Sequence, residues 1–359
     1  MKNKPAISVI MSVYNGEDYL KEAAESIINQ TFKDWELIIV NDCSSDNTAN
    51  ILNELSESDE RIRIVTNEVN LKLPTSLNKA ISLAEGEFVA RMDSDDIALA
   101  ERLQKQYDFM KKNPDVHLSS CRFMTLKGNV ISSGGCGGRC DDASLRALLL
   151  VTNPILHPGV IAKTETMKKL MYDVTLTCSE DLEMWIRFSE EGYKMEILPE
   201  YLMLYRLHDK QITSTTLERQ HKEVLKIQNG YFGKMLSEMS EEMQNFYISG
   251  IYFREAADIN KFCEFYKFLK RENKKTKAFD NNAIRYAMFE ILSEYKRSGI
   301  GKGEILKAMT SLGLCSLIKE FLLRKERALK EGRKCIAAAE SLGLKKTGGS
   351  ETFPVFSER

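Results

Sequence analysis

Residues 7–13, Ile7-Ser8-Val9-Ile10-Met11-Ser12-Val13, form an apolar run followed at once by the polar stretch Tyr14-Asn15-Gly16-Glu17. A short apolar run bounded by turn residues reads as a buried strand. Downstream the pattern alternates. Asp18 to Asn29 is expected to be a helix, Glu36 to Val40 a strand, and Asp46 to Leu55 a helix whose N-terminus Ser44, Ser45 and Asp46 supply. Arg61 to Thr66 reads as a third strand, Thr75 to Ala84 as a helix, and Glu87 to Met92 as a fourth strand. Strands alternating with helices predict βαβ units and a mostly parallel central sheet. Ligands of such sheets bind outside the carboxyl ends of the strands, so the polar residues that close each strand are where chemistry is expected.

Beyond a helix from about Ala100 to Lys112 the rhythm changes. Asp115 to Ser120, Arg122 to Leu126 and Asn129 to Ser132 read as short strands, with a turn at Lys127-Gly128-Asn129. A mixed region through His157 to Ala162 leads to a helix over Glu180 to Glu190 and strands near Lys194 to Leu198 and Leu202 to Leu207. From about Leu217 the pattern is helical. The expected organisation is an α/β domain over 1–216, a helical domain over 217–345 and a disordered tail over 346–359.

Composition bounds the function classes. Among 359 residues, 43% hydrophobic and 29% charged side chains exclude a collagen-like or wholly disordered chain. The net charge of -1 conceals a split: residues 1–216 hold 24 basic and 33 acidic side chains, residues 217–359 hold 27 and 19. An interaction surface in the basic half is one consequence of such asymmetry. Eight scattered cysteines and an apolar start too short for a signal sequence point to a reduced, cytoplasmic compartment. Cys136 and Cys140 lie in a glycine-rich stretch without a second ligand pair, which favours a loop over a zinc site.

Three acidic clusters follow predicted strands or open a helix. Asp93, Asp95 and Asp96, in Arg91-Met92-Asp93-Ser94-Asp95-Asp96, can reach one hard divalent ion together; a solvated turn is the plainer alternative. Asp42, in Asn41-Asp42-Cys43-Ser44-Ser45-Asp46, is placed to accept the imide N–H of a base, while its neighbours suit helix capping. Glu180 and Asp181 open the predicted helix, where acidic residues also favour the helix dipole.

Taken in order, Val9-Ile10-Met11-Ser12-Val13-Tyr14-Asn15, Ile38-Ile39-Val40-Asn41-Asp42-Cys43-Ser44-Ser45-Asp46-Asn47-Thr48, Ala90-Arg91-Met92-Asp93-Ser94-Asp95-Asp96, and Glu180-Asp181 with Trp185 resemble the motif set of family 2 glycosyltransferases of the bacterial surface-polysaccharide type. These are inverting enzymes with the GT-A nucleotide-sugar-binding fold. The resemblance spans roughly residues 5–216. It implies that Val13, Tyr14, Asn15 and Glu17 hold the nucleotide, that Asp42 reads the base, usually uracil, and that Asn70, Lys72 and Asn78 contact nucleotide or diphosphate. It further implies that Arg91 and Asp93 lie on the donor side, that Asp93 and Asp95 with His208 hold Mn²⁺ or Mg²⁺, that Arg206 supports the diphosphate, and that Asp181, next to Glu180, is the catalytic base. His157 matches a histidine often seen in the family, with an acceptor-side or a core role open; His117 and His221 have no supporting neighbours. Three residues depart from the family pattern: Ser12 where proline is common, and Cys43 and Lys72 where glycine is common. The cysteine implies a turn without positive φ, or tolerated strain. Lys72 either adds a cation beside the diphosphate or projects into solvent.

The chemistry is coherent without the family. Sugar transfer needs the charge growing on the leaving diphosphate stabilised, and one base opposite it to take the acceptor proton. Phosphotransfer through Asp93 and Asp95 is the first rival reading; a non-catalytic glycan-binding scaffold is the second. The turn after the first strand lacks the Gly-x-Gly-x-x-Gly of dinucleotide enzymes. The expected partners are a nucleotide-sugar donor and a glycan or lipid-linked acceptor, with no nucleic acid; a homo-oligomer stays open. Phe262 to Lys277 and Leu317 to Arg327 are basic and amphipathic, which fits either peripheral contact with the inner face of the cytoplasmic membrane or a helical bundle with a solvated basic face.

Overall fold

In the computed structural model, which describes residues 4–132, 141–176, 178–209, 217–232, 238–295, 299–340 and 344–346, the opening run is strand β1 (Ile7–Val13). Helix α1 (Leu20–Ile28) follows and buries Leu20, Ala23, Ala24 and Ile27, the i, i+3, i+4, i+7 stripe of an amphipathic helix. Full burial of Leu20 and Ile27 contributes roughly 2 kcal/mol each. The alternation continues through β2 (Trp35–Asn41), α2 (Thr48–Ser58), β3 (Ile62–Thr66), α3 (Leu73–Leu83) and β4 (Phe88–Asp93). Pro74 sits in the first turn of α3, where its missing N–H removes no helix bond.

Strands β4, β1, β2 and β3 lie side by side in parallel, with Ser12 opposite Asp93 and Val13 opposite Asn41. Since β1 connects outward to β2 while β3 returns past β1 to β4, the carboxyl ends of β1 and β4 flank a topological switch point. Beyond β4 the sheet becomes antiparallel through β8 (Ile161–Lys163), β6 (Val116–Lys127) and β7 (Val130–Ser132), and β10 (Lys345–Lys346) joins the edge. Strand β9 (Lys194–Arg206) pairs with β6 and with the two-residue β5 (Ile97–Ala98). Helices α4 (Arg102–Lys112), α5 (Asp142–Leu149), α6 (Thr164–Leu170) and α7 (Glu180–Glu190) complete this part.

Three local expectations are corrected. The segments Asp115 to Ser120 and Arg122 to Leu126 are one strand, β6, and Lys194 to Leu198 and Leu202 to Leu207 are one strand, β9. Their pairing jumps from Ser120 opposite Ile197 to Arg122 opposite Tyr201, so β9 bulges at Leu198-Pro199-Glu200. Proline cannot donate to a ladder, and a bulge accommodates it. Helix α2 begins after Asn47, which makes no side-chain cap. Ser44 and Ser45 bond to Asn15 instead, and only Asp46 accepts the Thr48 N–H. The tail beyond residue 346 and the loop residues 133–140, with Cys136 and Cys140, lie outside the described residues.

The chain past residue 217 folds into α8 (Leu217–Phe232), α9 (Glu241–Phe246) continued by a π-turn (Tyr247–Tyr252), α10 (Ile259–Thr276), α11 (Asn281–Glu294), α12 (Lys302–Ser311) and α13 (Ile318–Glu340). One apolar cluster crosses residue 217, joining Leu145, Leu148 and Trp185 to Tyr247, Phe262 and Phe289. The apolar side of α10, Phe262, Phe265, Tyr266, Phe268 and Leu269, is buried in this cluster, so that part of the basic stretch follows the bundle reading. The far end of α13 packs Cys335, Ile336 and Ala339 against β6, β7 and β9, while Leu322 and Leu323 near its start are exposed. Among the described residues no helix is long and apolar enough to cross a membrane.

Candidate active site

Three loops at the carboxyl ends of β1, β2 and β3 are fastened to one another. The Asn15 N–H donates to Ser44 Oγ (3.0 Å) and its side-chain oxygen accepts from the Ser45 N–H (2.8 Å). Gly16 N–H donates to Thr48 Oγ1 at 2.9 Å, and Glu17 Oε2 accepts the Asn47 N–H at 2.9 Å. A Cβ at Gly16 would meet Val13 Cγ2 at 2.4 Å, so only glycine fits this turn. The Glu17 N–H also binds Asp46; burial alone would raise the Asp46 pKa, but hydrogen bonds from Thr48 and Glu17 outweigh it and hold it below the usual value. Tyr14 stands out from this platform with half its surface exposed, beside the buried Val13.

Asp42 is buried (2% exposed), its Oδ1 accepting from Asn67 Nδ2 and the Leu71 N–H and its Oδ2 from the Lys72 N–H, all at 2.8–2.9 Å. Lys79 Nζ donates to Asn67 Oδ1 at 2.8 Å, extending the network into α3. Asp42 therefore ties down the loop that carries Asn70 and Lys72, and Asn70 Oδ1 itself accepts the Lys72 N–H. Cys43 (φ 61°) and Lys72 (φ 70°, ψ 163°), at the positions where the family pattern commonly has glycine, adopt left-handed backbone conformations. The strain is tolerated, and such conformations cost on the order of 1–3 kcal/mol each, persist only where surroundings enforce them, and cluster at functional sites. The Lys72 side chain is exposed at the mouth of this loop. Asn78 bonds the Tyr172 backbone with both amide atoms (2.9 and 2.8 Å).

Across the switch point, Asp93 pairs with the buried Arg91 through both guanidinium nitrogens. Burial would lower the Arg91 pKa; the Asp93 charge more than offsets this and keeps it raised. Asp95 Oδ2 lies 2.9 Å from His208 Nε2, bringing together residues 113 apart in sequence. Arg206 donates its backbone N–H to Asp96 Oδ1 and its Nε to the Asp95 carbonyl, and pairs with Glu22 while lying over the Tyr19 ring. Its guanidinium thus organises the acidic turn. Asp96 is fully buried, and burial together with the charges of Asp95 and Asp93 pushes its pKa far upward.

Asp181, in the first turn of α7, accepts from Asn153 Nδ2 at Oδ2 and from the Leu182 N–H at Oδ1, both at 2.7 Å. Burial first, and the Asp181 charge second, push the Glu180 carboxyl up to about 8; Arg91 and Asp93 also act on it, which places the α7 start beside the acidic turn. His157 is buried and its Nε2 meets Tyr172 OH at 2.7 Å, with Trp185 edge-on to the ring. It belongs to the packing beneath the site. Asn153, Tyr172, Tyr19 and Glu22 carried no local signal in the sequence.

Residues 8–131 match the family described as Glycosyl transferase family 2. A glycosyltransferase of Methanocaldococcus jannaschii, described as uncharacterized, is 36% identical over 222 residues, 61% of this chain and 76% of that protein. The chain belongs to glycosyltransferase family 2. Another relative is the O-antigen biosynthesis glycosyltransferase WbnJ of Escherichia coli, 32% identical over 218 residues, which are 59% of this chain and 83% of that protein. The crystal structure of S. aureus TarS residues 1–349 in complex with UDP-GlcNAc superposes over 88% of this chain and 91% of that one, with TM-score 0.53 and 18% identity. The GT-A fold is shared, with the family's parallel sheet and the helices that follow it.

Proposed function

We propose that this family 2 enzyme transfers a sugar, of the hexose or N-acetylhexosamine class, from a UDP-linked donor to a glycan or lipid-linked acceptor during assembly of a surface polysaccharide. The observation that carries the reading is that the strained loops after β1 to β3 and the acidic turn Asp93 to Asp96 lie at the carboxyl ends of adjacent parallel strands, with Glu180-Asp181 near enough for the Asp93 charge to act on Glu180. The name of the O-antigen relative and the donor bound to the structural neighbour support the acceptor and donor classes.

Asp93, Asp95 and Asp96 each offer a carboxylate oxygen within 4.8 Å of the others, and the buried Asp96 Oδ2 has no hydrogen-bond partner. Three hard oxygens with one orphaned acceptor fit Mn²⁺ or Mg²⁺. These residues, with His208 beside Asp95, would hold the ion, which when bound supplies Lewis-acid stabilisation of the leaving diphosphate. Asp181 takes the acceptor hydroxyl proton as the acceptor oxygen bonds to the anomeric carbon; the carbon–oxygen bond to the nucleoside diphosphate breaks and the diphosphate leaves with the electron pair. Burial and the neighbouring Asp181 charge push the Glu180 carboxyl up to about 8. Asp42 and the β1–β2 loops present the base-binding platform, and Lys72 places a cation beside the diphosphate. The exposed start of α13 and the basic excess of residues 217–359 suit a cytoplasmic membrane face that carries a lipid-linked acceptor.

A screen of UDP- and GDP-sugars for nucleoside diphosphate release, with and without Mn²⁺, tests the reading. Release from at least one UDP-sugar, enhanced by Mn²⁺, is expected; silence across the screen with added glycan and lipid-linked acceptors contradicts it.

A further inference from the structure

The last carbonyls of a helix have no partner inside it, and when buried they need one from elsewhere. At the end of α5, Leu149, Leu150 and Val151 are buried, and their carbonyls are met by the helices that follow residue 217. Gln228 Nε2 of α8 donates to the Leu149 carbonyl at 2.7 Å, and Tyr247 OH of the π-turn donates to the Leu150 carbonyl at 2.5 Å. A longer contact runs from the Arg254 guanidinium to the Val151 carbonyl (3.4 Å). Gln228 and Tyr247 are themselves fully buried, and the Tyr247 ring stacks on Phe265. The π-turn is held close by design of its sequence: a Cβ at Gly250 would meet the Phe246 ring at 2.2 Å, and the Gly250 carbonyl accepts from Tyr295 OH at 3.0 Å.

Two residues past Val151 stands Asn153. Pro154 restricts it to extended backbone, its Oδ1 accepts the Ile155 N–H, and its Nδ2 is thereby turned onto Asp181 Oδ2. The same helices grip α7 at both ends. Glu223 Oε2 accepts the Cys178 N–H at 3.1 Å just before Glu180, and the Ser189 and Tyr231 hydroxyls bond at 2.8 Å near the other end.

We propose that the C-terminal helical region is a brace for the reaction base: by capping α5 through Gln228 and Tyr247 it fixes Asn153, and through Asn153 it fixes the Asp181 carboxylate. Asn153, Gln228 and Tyr247 are positioning residues, and their role rests on Asp181 being the base. Glu180 on α7 and Tyr172 after α6 feel the Asp181 charge, and both also feel the charges of Arg91 and Asp93 on β4.

The test compares wild type with Asn153→Ala, Tyr247→Phe and the double variant, using donor turnover against pH and the Asp181 carboxyl titration followed by carbon NMR. Losing a donor to the charged carboxylate makes it more basic, so Asn153→Ala is expected to move the titration and the acidic limb of turnover up by about half a pH unit or more. Its kcat falls about tenfold or more while donor KM stays within about twofold, since the change touches the base rather than the donor loops. Tyr247→Phe shifts both readouts the same way by less, and the double variant is no slower than Asn153→Ala because the two act in series. A Tyr247→Phe variant that melts earlier but keeps the wild-type titration overturns the brace, as does a double variant whose losses multiply. A wild type that turns over no nucleotide sugar overturns the proposed function, and the carboxyl titration still decides the brace.

Discussion

Asp181→Asn abolishes sugar transfer, lowering turnover about a hundredfold or more, while nucleotide-sugar affinity stays within about twofold of wild type. The substitution removes the basic oxygen and keeps the shape. An asparagine carbonyl still accepts from Asn153 Nδ2 or from the Leu182 N–H, the two donors that hold the carboxylate at 2.7 Å. The other donor then faces an amide –NH₂, which costs roughly 1–3 kcal/mol of stability and leaves the donor loops after β1 to β3 untouched. Turnover above about a tenth of wild type would remove Asp181 from the role of base, because general-base contributions are typically about a hundredfold or larger.

Asp95→Ala is expected to weaken Mn²⁺ binding at least about tenfold, measured calorimetrically without any sugar nucleotide, and to slow turnover by about a hundredfold or more. Asp95 is the acidic residue that touches His208, so its loss takes one oxygen from the triplet and leaves the imidazole without its carboxylate. Asp93, paired with Arg91, and Asp96, whose Oδ1 accepts the Arg206 N–H, then remain as the two carboxylates of the turn. A variant that binds Mn²⁺ as tightly as wild type places the ion elsewhere.

Much of the parallel half was legible because it depends on short-range pattern. The limits of β1 (Ile7–Val13) and α7 (Glu180–Glu190) match the hydrophobic runs that announce them, and the acidic residues stand at strand ends as the sheet geometry requires. The antiparallel half was cut into pieces because polarity at Ser119 to Arg122 and a proline at position 199 interrupt the alternation that identifies strands. The two-residue β5 is too short for any period to show.

Within the site, composition marks a carboxylate but not its neighbours. Asp42 and Asp181 stand out in the sequence; the Asn67, Lys72 and Asn153 groups that hold them come from distant segments. Asn78 and Arg206 lie in the expected segments, yet their side chains fasten Tyr172 and the acidic turn, contacts that only the folded chain creates. Side-chain identity argues against the positive φ of Cys43 and Lys72, and only the resemblance, with glycine common at both positions, pointed to it. The C-terminal charge suggested a surface, whereas the bonds from Gln228, Tyr247 and Glu223 to the α5 end and the α7 start are internal.

The central claim is in-line displacement at the sugar with a single base, and the anomeric configuration of the first-formed product reads it directly. Proton NMR of the glycoside formed from a UDP-α-linked donor is predicted to show a β linkage at the transferred sugar. A first product with the α configuration would contradict the account.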